Sequence, residues 1–301
     1  MLLTIGVSYL LRSNSIDEFL ISKQIKNFEN YILKNKYKSV EIIYIIQDQE
    51  IKTFELLKEN ILKNEMKLKV KFIYGGKQGV AKSRNIAINE ANGRFLLFFD
   101  IDCKFNSDIS EFLDLLTKIR KDKNYLYFAN KNNYKGKSFS FLPTIDKIPN
   151  LPKFLNHLAF AFIAVIKSPT YNIIVSPNFC KINKIYFDTN LGLGSYYKQS
   201  DEALFLINLF SSFIKKNINF NDFYMADIID SESKSHEIKN ELYYSLQSKG
   251  YVIRNGFNSY LGILAILPIA IFFSLKFYRV KSPFISFLLV MKGYILPRNF
   301  D

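Results

Sequence analysis

The stretch GRFLLFFDIDC, residues 93–103, decides the fold of this 301-residue chain. An apolar run at residues 95–99 has the length of a buried strand, and Asp100 and Asp102 follow directly. Two like charges at one strand end are unfavourable unless a cation neutralises them. Magnesium is typically held by one or two carboxylates together with phosphate oxygens of a substrate. The stretch therefore predicts a strand that ends at a divalent metal and a phosphate.

The residues before this stretch alternate between strand and helix patterns. Apolar runs predict strands at residues 2–8, 40–47 and 68–74, and amphipathic spacing predicts helices near 15–32, 51–64 and 80–92. The first helix has its apolar face at Ile21, Ile25, Phe28 and Ile32. This order predicts an α/β fold, a Rossmann-like, doubly wound and mostly parallel sheet with helices on both faces. Such sheets bind ligands at the carboxyl ends of their strands.

Composition limits the partners and the compartment. The formal net charge of +14 favours anionic partners such as nucleotides or phospholipids, but no arginine-rich stripe indicates nucleic acid. Cys103 and Cys180 lack a metal-type spacing, so the sequence predicts neither a disulfide framework nor a zinc site, and a reducing cytoplasm fits. The N-terminal MLLTIGVSYL is more typical of a first strand than of a signal peptide.

The C-terminal region has a different character. Residues 255–275 contain no charge and approach the length of a membrane span, although Gly262 and Pro268 interrupt them. Basic residues flank this segment on both sides, so the positive-inside rule gives no orientation. Helices lying on an anionic inner leaflet explain this symmetry best, with a single span or a buried helix as alternatives. We expect a catalytic domain at residues 1–250, with halves at 1–105 and 106–250, and membrane-associating hydrophobic helices at 251–301.

The helix before the opening stretch adds an anion site. Ser83, Arg84 and Asn85 fall in its first turns, where the helix amino terminus favours anions. The Arg84 guanidinium can grip a diphosphate with two parallel hydrogen bonds. The helix and the two aspartates would therefore converge on one phosphate group.

The segment GVAKSRNIAINEANGRFLLFFDIDC resembles the A-x-x-R-N-x-x-x-x-x-A-x-G, strand and D-x-D pattern of glycosyltransferase family 2. LTIGVSYLLRS and IIYIIQDQE resemble the first two strands of that family, whose GT-A fold holds a nucleotide sugar and a divalent metal. The resemblance implies that Mg²⁺ or Mn²⁺ is the cofactor. It assigns nucleoside contacts to Ser8 and Asp48, a nucleotide contact to Arg84, the ribose or metal to Asp100, and the metal to Asp102.

A second match lies in FDTNLGLGSYYKQSDEALFLINLF, residues 187–210. It resembles the F-D-x-x-x-G-x-G loop of the same family and the acidic pair that follows, in which one carboxylate is the catalytic base. The pair here is Asp201 and Glu202, in the reverse of the usual order, so either one is a candidate. Acids at a helix start also complement the helix dipole, which is the purely structural alternative.

Two histidines complete the candidate residues. His236, in DSESKSHEIKNE, loosely resembles a family histidine that reaches the metal or the phosphate, and a solvated loop histidine is the alternative. His157 lies in an apolar context and is expected to be structural. Residues 231–239 are expected to form a loop that closes over bound nucleotide.

The resemblance implies an inverting, metal-dependent glycosyltransferase of the hexosyltransferase type. Its donor would be a nucleotide-diphosphate sugar and its acceptor a saccharide, which the apolar C-terminus predicts to be lipid-linked. We expect a role in surface polysaccharide synthesis, on the cytoplasmic face of the cell membrane and without nucleic acid. The alternatives are a haloacid-dehalogenase-like phosphohydrolase, which Lys104 and the late position of the motif disfavour, and an inactive scaffold of the same fold.

Overall fold

The chain divides into two compact units in a computed structural model. The first unit contains residues 1–139, 170–186 and 221–234, and the second contains the remaining residues. The structure describes residues 1–11, 14–34, 39–48, 50–63, 66–77, 79–101, 103–105, 113–114, 116–117, 127–129, 173–197, 199–215, 224–226, 229–231, 241–257, 259–276 and 282–295. The predicted domain limits at 105 and 250 divide the chain by function, and they stay a prediction.

The first unit is built on a seven-stranded sheet. Its order is β3-β2-β1-β4-β7-β6-β8, and β5 pairs with β9 in a small second sheet. Among the described strands of the seven-stranded sheet, only β7 runs antiparallel to its neighbours, so the predicted mostly parallel sheet is confirmed. The strands are β1 Leu3–Leu10, β2 Val40–Gln47, β3 Lys69–Gly76, β4 Phe95–Asp100, β5 Cys103–Phe105, β6 Tyr127–Ala129, β7 Ile173–Val175, β8 Tyr224–Ala226 and β9 Ile229–Ser231.

Helices cover both faces of this sheet because successive strand residues point to opposite sides. The odd-numbered residues of β1 pack with the apolar residues of α1 (Asn14–Lys34) and α2 (Ile51–Leu62). On the other face, a Cβ placed on Gly6 would lie 2.9 Å from the Cβ of Ala87 in α3 (Val80–Glu90). A short helix, α4 (Pro177–Ile182), also contacts α3.

The predicted elements of the first hundred residues agree with the structure to within a few residues. The strand at 40–47 is found as predicted, and the predicted apolar face of α1 is buried at all four positions. Cys103 and Cys180 are buried free thiols.

A buried carboxylate ties together the amino-terminal edge of the sheet. Glu41 accepts hydrogen bonds from the Thr4 hydroxyl and from the Asn92 backbone N–H, each at 2.7 Å. Burial by itself would raise the pKa of Glu41, but these hydrogen bonds outweigh it and hold the pKa below its ordinary 4.5. This network lies at the edge opposite the carboxyl ends of the strands, so we interpret it as structural.

The second unit contains four long helices among its described residues: α5 Asp201–Lys215, α6 Glu241–Gly256, α7 Ser259–Lys276 and α8 Pro283–Ile295. Helices α6 and α8 approach very closely where glycines remove side-chain bulk. A Cβ on Gly293 would lie 1.9 Å from the Gln247 carbonyl oxygen, and one on Gly250 would lie 2.0 Å from the Val290 carbonyl oxygen. Arg254 then donates to the carbonyls that end α8, at 2.9 Å each.

Helices α7 and α8 leave large apolar side chains exposed. On α7, residues 263, 267, 271 and 275 recur every four positions and are between 50% and 65% exposed, so they share one face. On α8, Phe284 is 69% exposed, and Ile285, Leu288 and Ile295 are also exposed. Lys276 and Lys292 are the exposed cations on these two helices. Within the described residues, the length and apolarity needed to span a membrane are found in none of the helices.

Candidate active site

Two of the predicted site residues are direct neighbours at the point where the strand order reverses. Strand β1 lies between β2 and β4, and Ser8 pairs in register with Asp100. Both residues are half-buried at the carboxyl ends of their strands. In doubly wound sheets the crevice at this switch point is where ligands bind. The topology therefore places a hydroxyl and a carboxylate side by side at the expected ligand site.

Asp48 follows β2 at the same edge of the sheet. Its backbone N–H donates to the Gly76 carbonyl at 3.1 Å, and its own carbonyl accepts from the Tyr74 hydroxyl at 3.0 Å. These bonds fix the backbone of Asp48 against the end of β3. The side chain is half-buried, one strand away from Ser8. The position is compatible with the predicted contact to a nucleoside.

The amino terminus of α3 is held at this edge by Gln47. The Gln47 side-chain amide donates to the carbonyls of Lys77 and Gly79 at 3.1 and 3.0 Å, immediately before α3 begins. Ala87 packs on Gly6, and Arg84 lies one helical turn nearer the amino terminus. Along the strand direction, Arg84 therefore lies at the height of the carboxyl ends of the strands, and its side chain is buried.

Ser83, next to Arg84, carries an unusual hydroxyl. Its side chain is completely buried, and the Oγ has no hydrogen-bond partner among the described residues. Buried hydroxyls are normally satisfied by the protein or by water. Because Ser83 is in the first turn of α3, this unused hydrogen-bonding capacity lies near the helix end that favours anions.

Gln24 of α1 holds the loop that follows Asp100. Its Nε2 lies 2.9 Å from the Asp100 carbonyl oxygen, 3.0 Å from that of Ile101 and 3.3 Å from that of Cys103. The Tyr44 hydroxyl donates to Gln24 Oε1 at 2.9 Å, which orients the amide. One buried side chain therefore fixes three carbonyls around the Asp-x-Asp motif.

The predicted metal ligands are only partly within the described residues. Asp100 is described, whereas Asp102 and His236 lie outside, as does His157. Among the described residues, no three side chains of His, Cys, Asp or Glu are grouped closely enough to hold a metal ion. The assignments of Asp100, Asp102 and His236 to a metal stay predictions.

In the second unit, the Gly-x-Gly loop forms a tight structure before the acidic pair. Gly192 and Gly194 have φ values of 91° and 87°, which favour glycine. The Asp188 carboxylate accepts from the Asn190 N–H at 2.9 Å and from the Tyr251 hydroxyl at 2.7 Å. Burial and the neighbouring Asp188 raise the pKa of Tyr251, so its hydroxyl stays protonated. The Asp188 of the motif thus stabilises the loop.

Asp201 and Glu202 form the first turn of α5, as the sequence predicts. Their side chains are buried, with exposed fractions of 3% and 7%. The preceding residue, Ser200, has a φ of 74°, and its carbonyl accepts the first helical bond from Leu204. The sharp turn at Ser200 sets the direction in which the acidic pair enters the helix. The choice of base between the two acids stays a prediction.

Comparison with known proteins agrees with the fold and identifies the family. The model of the family described as "Glycosyl transferase family 2" matches residues 22–176, and the chain belongs to this family. It is therefore a glycosyltransferase by family, which argues against the haloacid-dehalogenase-like alternative. No curated protein sequence matches the chain.

Solved structures of S. aureus TarS are similar to the chain. TarS 1–349 superposes with a TM-score of 0.52 at 16% identity, covering 98% of this chain and 81% of that one. Its complex with UDP-GlcNAc superposes with a TM-score of 0.54 at 17% identity, covering 98% and 79%. The chain spans 44% of the longer TarS structure. At these identities the likeness shows the GT-A fold.

Sequence patterns did not reveal three residues that support the site. Gln24 and Gln47 lie within ordinary helix and strand patterns, and only the folded chain shows which carbonyls they contact. Lys249 lies in LQSKGY, which has no recognisable motif, yet its side chain is buried beside Ser200. A glutamine at a buried helical position is the one signal that could have indicated Gln24.

Proposed function

We propose that the chain transfers a sugar, with inversion, from a nucleotide-diphosphate donor to a hydroxyl of a saccharide acceptor. The observation that carries this proposal is the pairing of Ser8 with Asp100 at the topological switch point, level with Arg84 at the start of α3. A nucleotide sugar needs hydroxyl recognition for its ribose and cationic recognition for its diphosphate. These residues offer both at one edge of the sheet.

Arg84 and the α3 amino terminus are suited to the diphosphate of the donor. A guanidinium can form two parallel hydrogen bonds to phosphate oxygens, and the helix end adds its free N–H groups and dipole. The Ser83 hydroxyl, buried without a protein partner in the described residues, adds another possible donor. Ser8 and Asp48, at the ends of β1 and β2, would contact the nucleoside.

The residues at the end of β4 fit a divalent cation. Carboxylate oxygens are the ligands that Mg²⁺ and Mn²⁺ prefer, and Asp100 presents one at a half-buried strand end. Asp100 and Asp102 would hold the cation, with His236 as a further candidate. A bound cation would supply charge neutralisation for the departing diphosphate. Gln24 would keep the backbone of this loop in place.

Asp201 or Glu202 would act on the acceptor. An acceptor hydroxyl is a poor nucleophile near neutral pH, so a carboxylate takes its proton as it attacks. The hydroxyl oxygen bonds to the anomeric carbon, and the bond from that carbon to the diphosphate oxygen breaks, leaving its electron pair on the diphosphate. Attack from the opposite face inverts the anomeric centre. Arg84 stabilises the charge that develops on the leaving group.

The C-terminal helices are suited to a membrane surface. The exposed apolar face of α7 and the exposed residues of α8 form a surface that water disfavours, and Lys276 and Lys292 would contact anionic headgroups. We propose peripheral attachment to the cytoplasmic face of the cell membrane. A lipid-linked saccharide acceptor and a role in surface polysaccharide synthesis follow from that location. Vesicle binding that survives Ile263→Ser and Leu267→Ser unchanged would contradict the attachment, with the exposed Leu56→Ser on α2 as the matched control.

A donor screen tests the enzymatic proposal. Purified protein is incubated with a panel of nucleotide sugars and Mn²⁺ or Mg²⁺, and release of the nucleoside diphosphate is measured. We expect release from one donor class. Asp102→Ala should abolish metal-dependent binding of nucleotide, whereas Asp201→Asn and Glu202→Gln should keep binding, and the variant of the true base should lose turnover. Glu59→Gln, at an exposed acid of α2, is the control.

No release from any donor, with or without a saccharide acceptor, would contradict the proposal. It would favour the alternative of a scaffold that kept the fold and lost activity. Wild-type turnover in all three site variants would show that the reaction uses other residues.

A further inference from the structure

A buried lysine contacts the residue that precedes the acidic pair. Lys249 of α6 is only 8% exposed, and its Nζ donates to the Ser200 hydroxyl at 2.7 Å. Ser200 immediately precedes Asp201 and Glu202 in the chain. Lysine is rarely this buried unless its charge is paired, so its position calls for a physical reason.

Ser200 itself adopts a backbone conformation that serine disfavours. Its φ of 74° lies in the left-handed region, where a side chain is strained and surrounding contacts must hold it. The Ser200 hydroxyl contacts Lys249 Nζ and also lies 2.9 Å from the Ser248 hydroxyl. Ser248 in turn donates to the Ser245 carbonyl at 2.7 Å. Two residues of α6 therefore pin the turn that begins α5.

The charges around Lys249 come from two other helices. Asp201 and Glu202 of α5 attract the ammonium group, and Lys276 of α7 repels it. The ring of Phe273 on α7 lies 5.8 Å from Nζ. On α8 the titratable residues are Lys292, which is exposed, and Tyr294. Burial is the main cause that lowers the pKa of Lys249, to about 8, so the residue remains mostly charged near neutral pH.

We propose that Lys249 is a positioning residue for the acidic pair: it fixes the turn at Ser200 and favours the ionised form of the carboxylates at Asp201 and Glu202. This inference rests on the proposed function, because it assigns a purpose to the pair. The attraction between ammonium and carboxylates is mutual, so the cation that they stabilise also stabilises their negative charge. An ionised carboxylate is the form that can accept the acceptor proton.

Lys249→Met tests the proposal, since methionine keeps an unbranched apolar chain and removes the ammonium group. We expect kcat to fall by about 100-fold, the loss that a misplacement of about 1 Å can cause. The KM for the donor should stay within about twofold, because donor contacts are assigned to other residues. The acidic limb of the pH profile of kcat should move to higher pH, because the carboxylates lose a neighbouring cation.

Two serine variants keep the test decisive if Lys249→Met does not fold. Ser200→Ala removes the hydroxyl that Lys249 contacts and should reproduce the fall in kcat. Ser212→Ala is the matched control, because it removes a hydroxyl of α5 that donates to the Asn208 carbonyl within the same helix and leaves the contacts of Ser200 intact. Its kcat should stay within about threefold of wild type.

The outcomes separate this proposal from the proposed function. If wild type transfers sugar and Lys249→Met or Ser200→Ala does so with an unchanged kcat and pH profile, the positioning role is wrong and the transferase assignment stands. If thermal stability falls in these variants while kcat is unchanged, the lysine is structural only. If wild type transfers no sugar from any donor, both proposals fail.

Discussion

Replacing Gln24 by leucine should loosen the loop that carries Asp100 and Asp102. Leucine preserves much of the side-chain volume but removes the amide that donates to the carbonyls of Asp100, Ile101 and Cys103, at 2.9, 3.0 and 3.3 Å. It also leaves the Tyr44 hydroxyl without its acceptor on Gln24. A net hydrogen bond contributes about 1 kcal/mol, and an unsatisfied buried group costs about 1–3 kcal/mol. We therefore expect the free energy of unfolding to fall by about 2–4 kcal/mol.

The same substitution should also weaken the binding of the divalent metal. Outer-shell partners of metal ligands typically change metal affinity by about 10- to 100-fold, and Gln24 contacts the backbone of the predicted ligand loop. Titration calorimetry with Mn²⁺ and the nucleoside diphosphate of the preferred donor should therefore show weaker Mn²⁺ binding in Gln24→Leu. Denaturant unfolding without metal measures the stability separately.

Tyr44→Phe is the matched control for this experiment. It removes the hydroxyl that orients the Gln24 amide but keeps the contacts from that amide to the loop. We expect its Mn²⁺ affinity to stay within about threefold of wild type, because the loop carbonyls keep their donor. Wild-type Mn²⁺ affinity in Gln24→Leu, at reduced stability, would refute the positioning of the metal loop by Gln24.

Further predictions concern the sheet edge, the helix pair and the phosphate site. Glu41→Gln should lower the free energy of unfolding by about 3 kcal/mol at pH 7, because Thr4 loses a charged hydrogen-bond acceptor. Since the folded pKa of Glu41 lies below 4.5, the extra stability of the wild type should be present above pH 4.5 and be lost as the pH falls through the folded pKa. Urea unfolding measured at several pH values would show this dependence. Gly293→Ala should lower the melting temperature strongly, because its Cβ would meet the Gln247 carbonyl at 1.9 Å; an unchanged melting curve would contradict the packing of α6 on α8. Arg84→Lys should weaken binding of the nucleoside diphosphate of the preferred donor by about 10-fold, since lysine cannot form two parallel bonds, and equal dissociation constants in calorimetry would contradict the assignment.

The first half of the fold could be predicted because its elements are long and regular. The run VEIIYIIQ at β2 and the three- and four-residue spacing of apolar residues on α1 indicate their structures by composition and period alone. The order of strands beyond β4 could not be predicted, because β6, β7 and β8 are three residues long and β7 runs antiparallel between partners distant in sequence. Short strands carry too little pattern to indicate which neighbours they pair with.

Site residues that belong to a sequence motif could be predicted. Site residues that act through a contact with a distant part of the chain could not. The carboxylates at Asp100 and Asp201 stand in recognisable patterns. Gln24 and Lys249, by contrast, act through partners 76 and 49 positions away, at Asp100 and Ser200. Such contacts depend on how helices dock, which no local spacing encodes.

The most direct test of the account is a crystal soaked with Mn²⁺ and the nucleoside diphosphate of the preferred donor, with anomalous scattering used to locate the manganese. The account predicts one manganese peak at the carboxyl end of β4, bonded to an aspartate of the Asp-x-Asp motif and to a phosphate oxygen near Arg84. Nucleotide bound elsewhere, or this end of the sheet filled by protein and free of manganese, would contradict it.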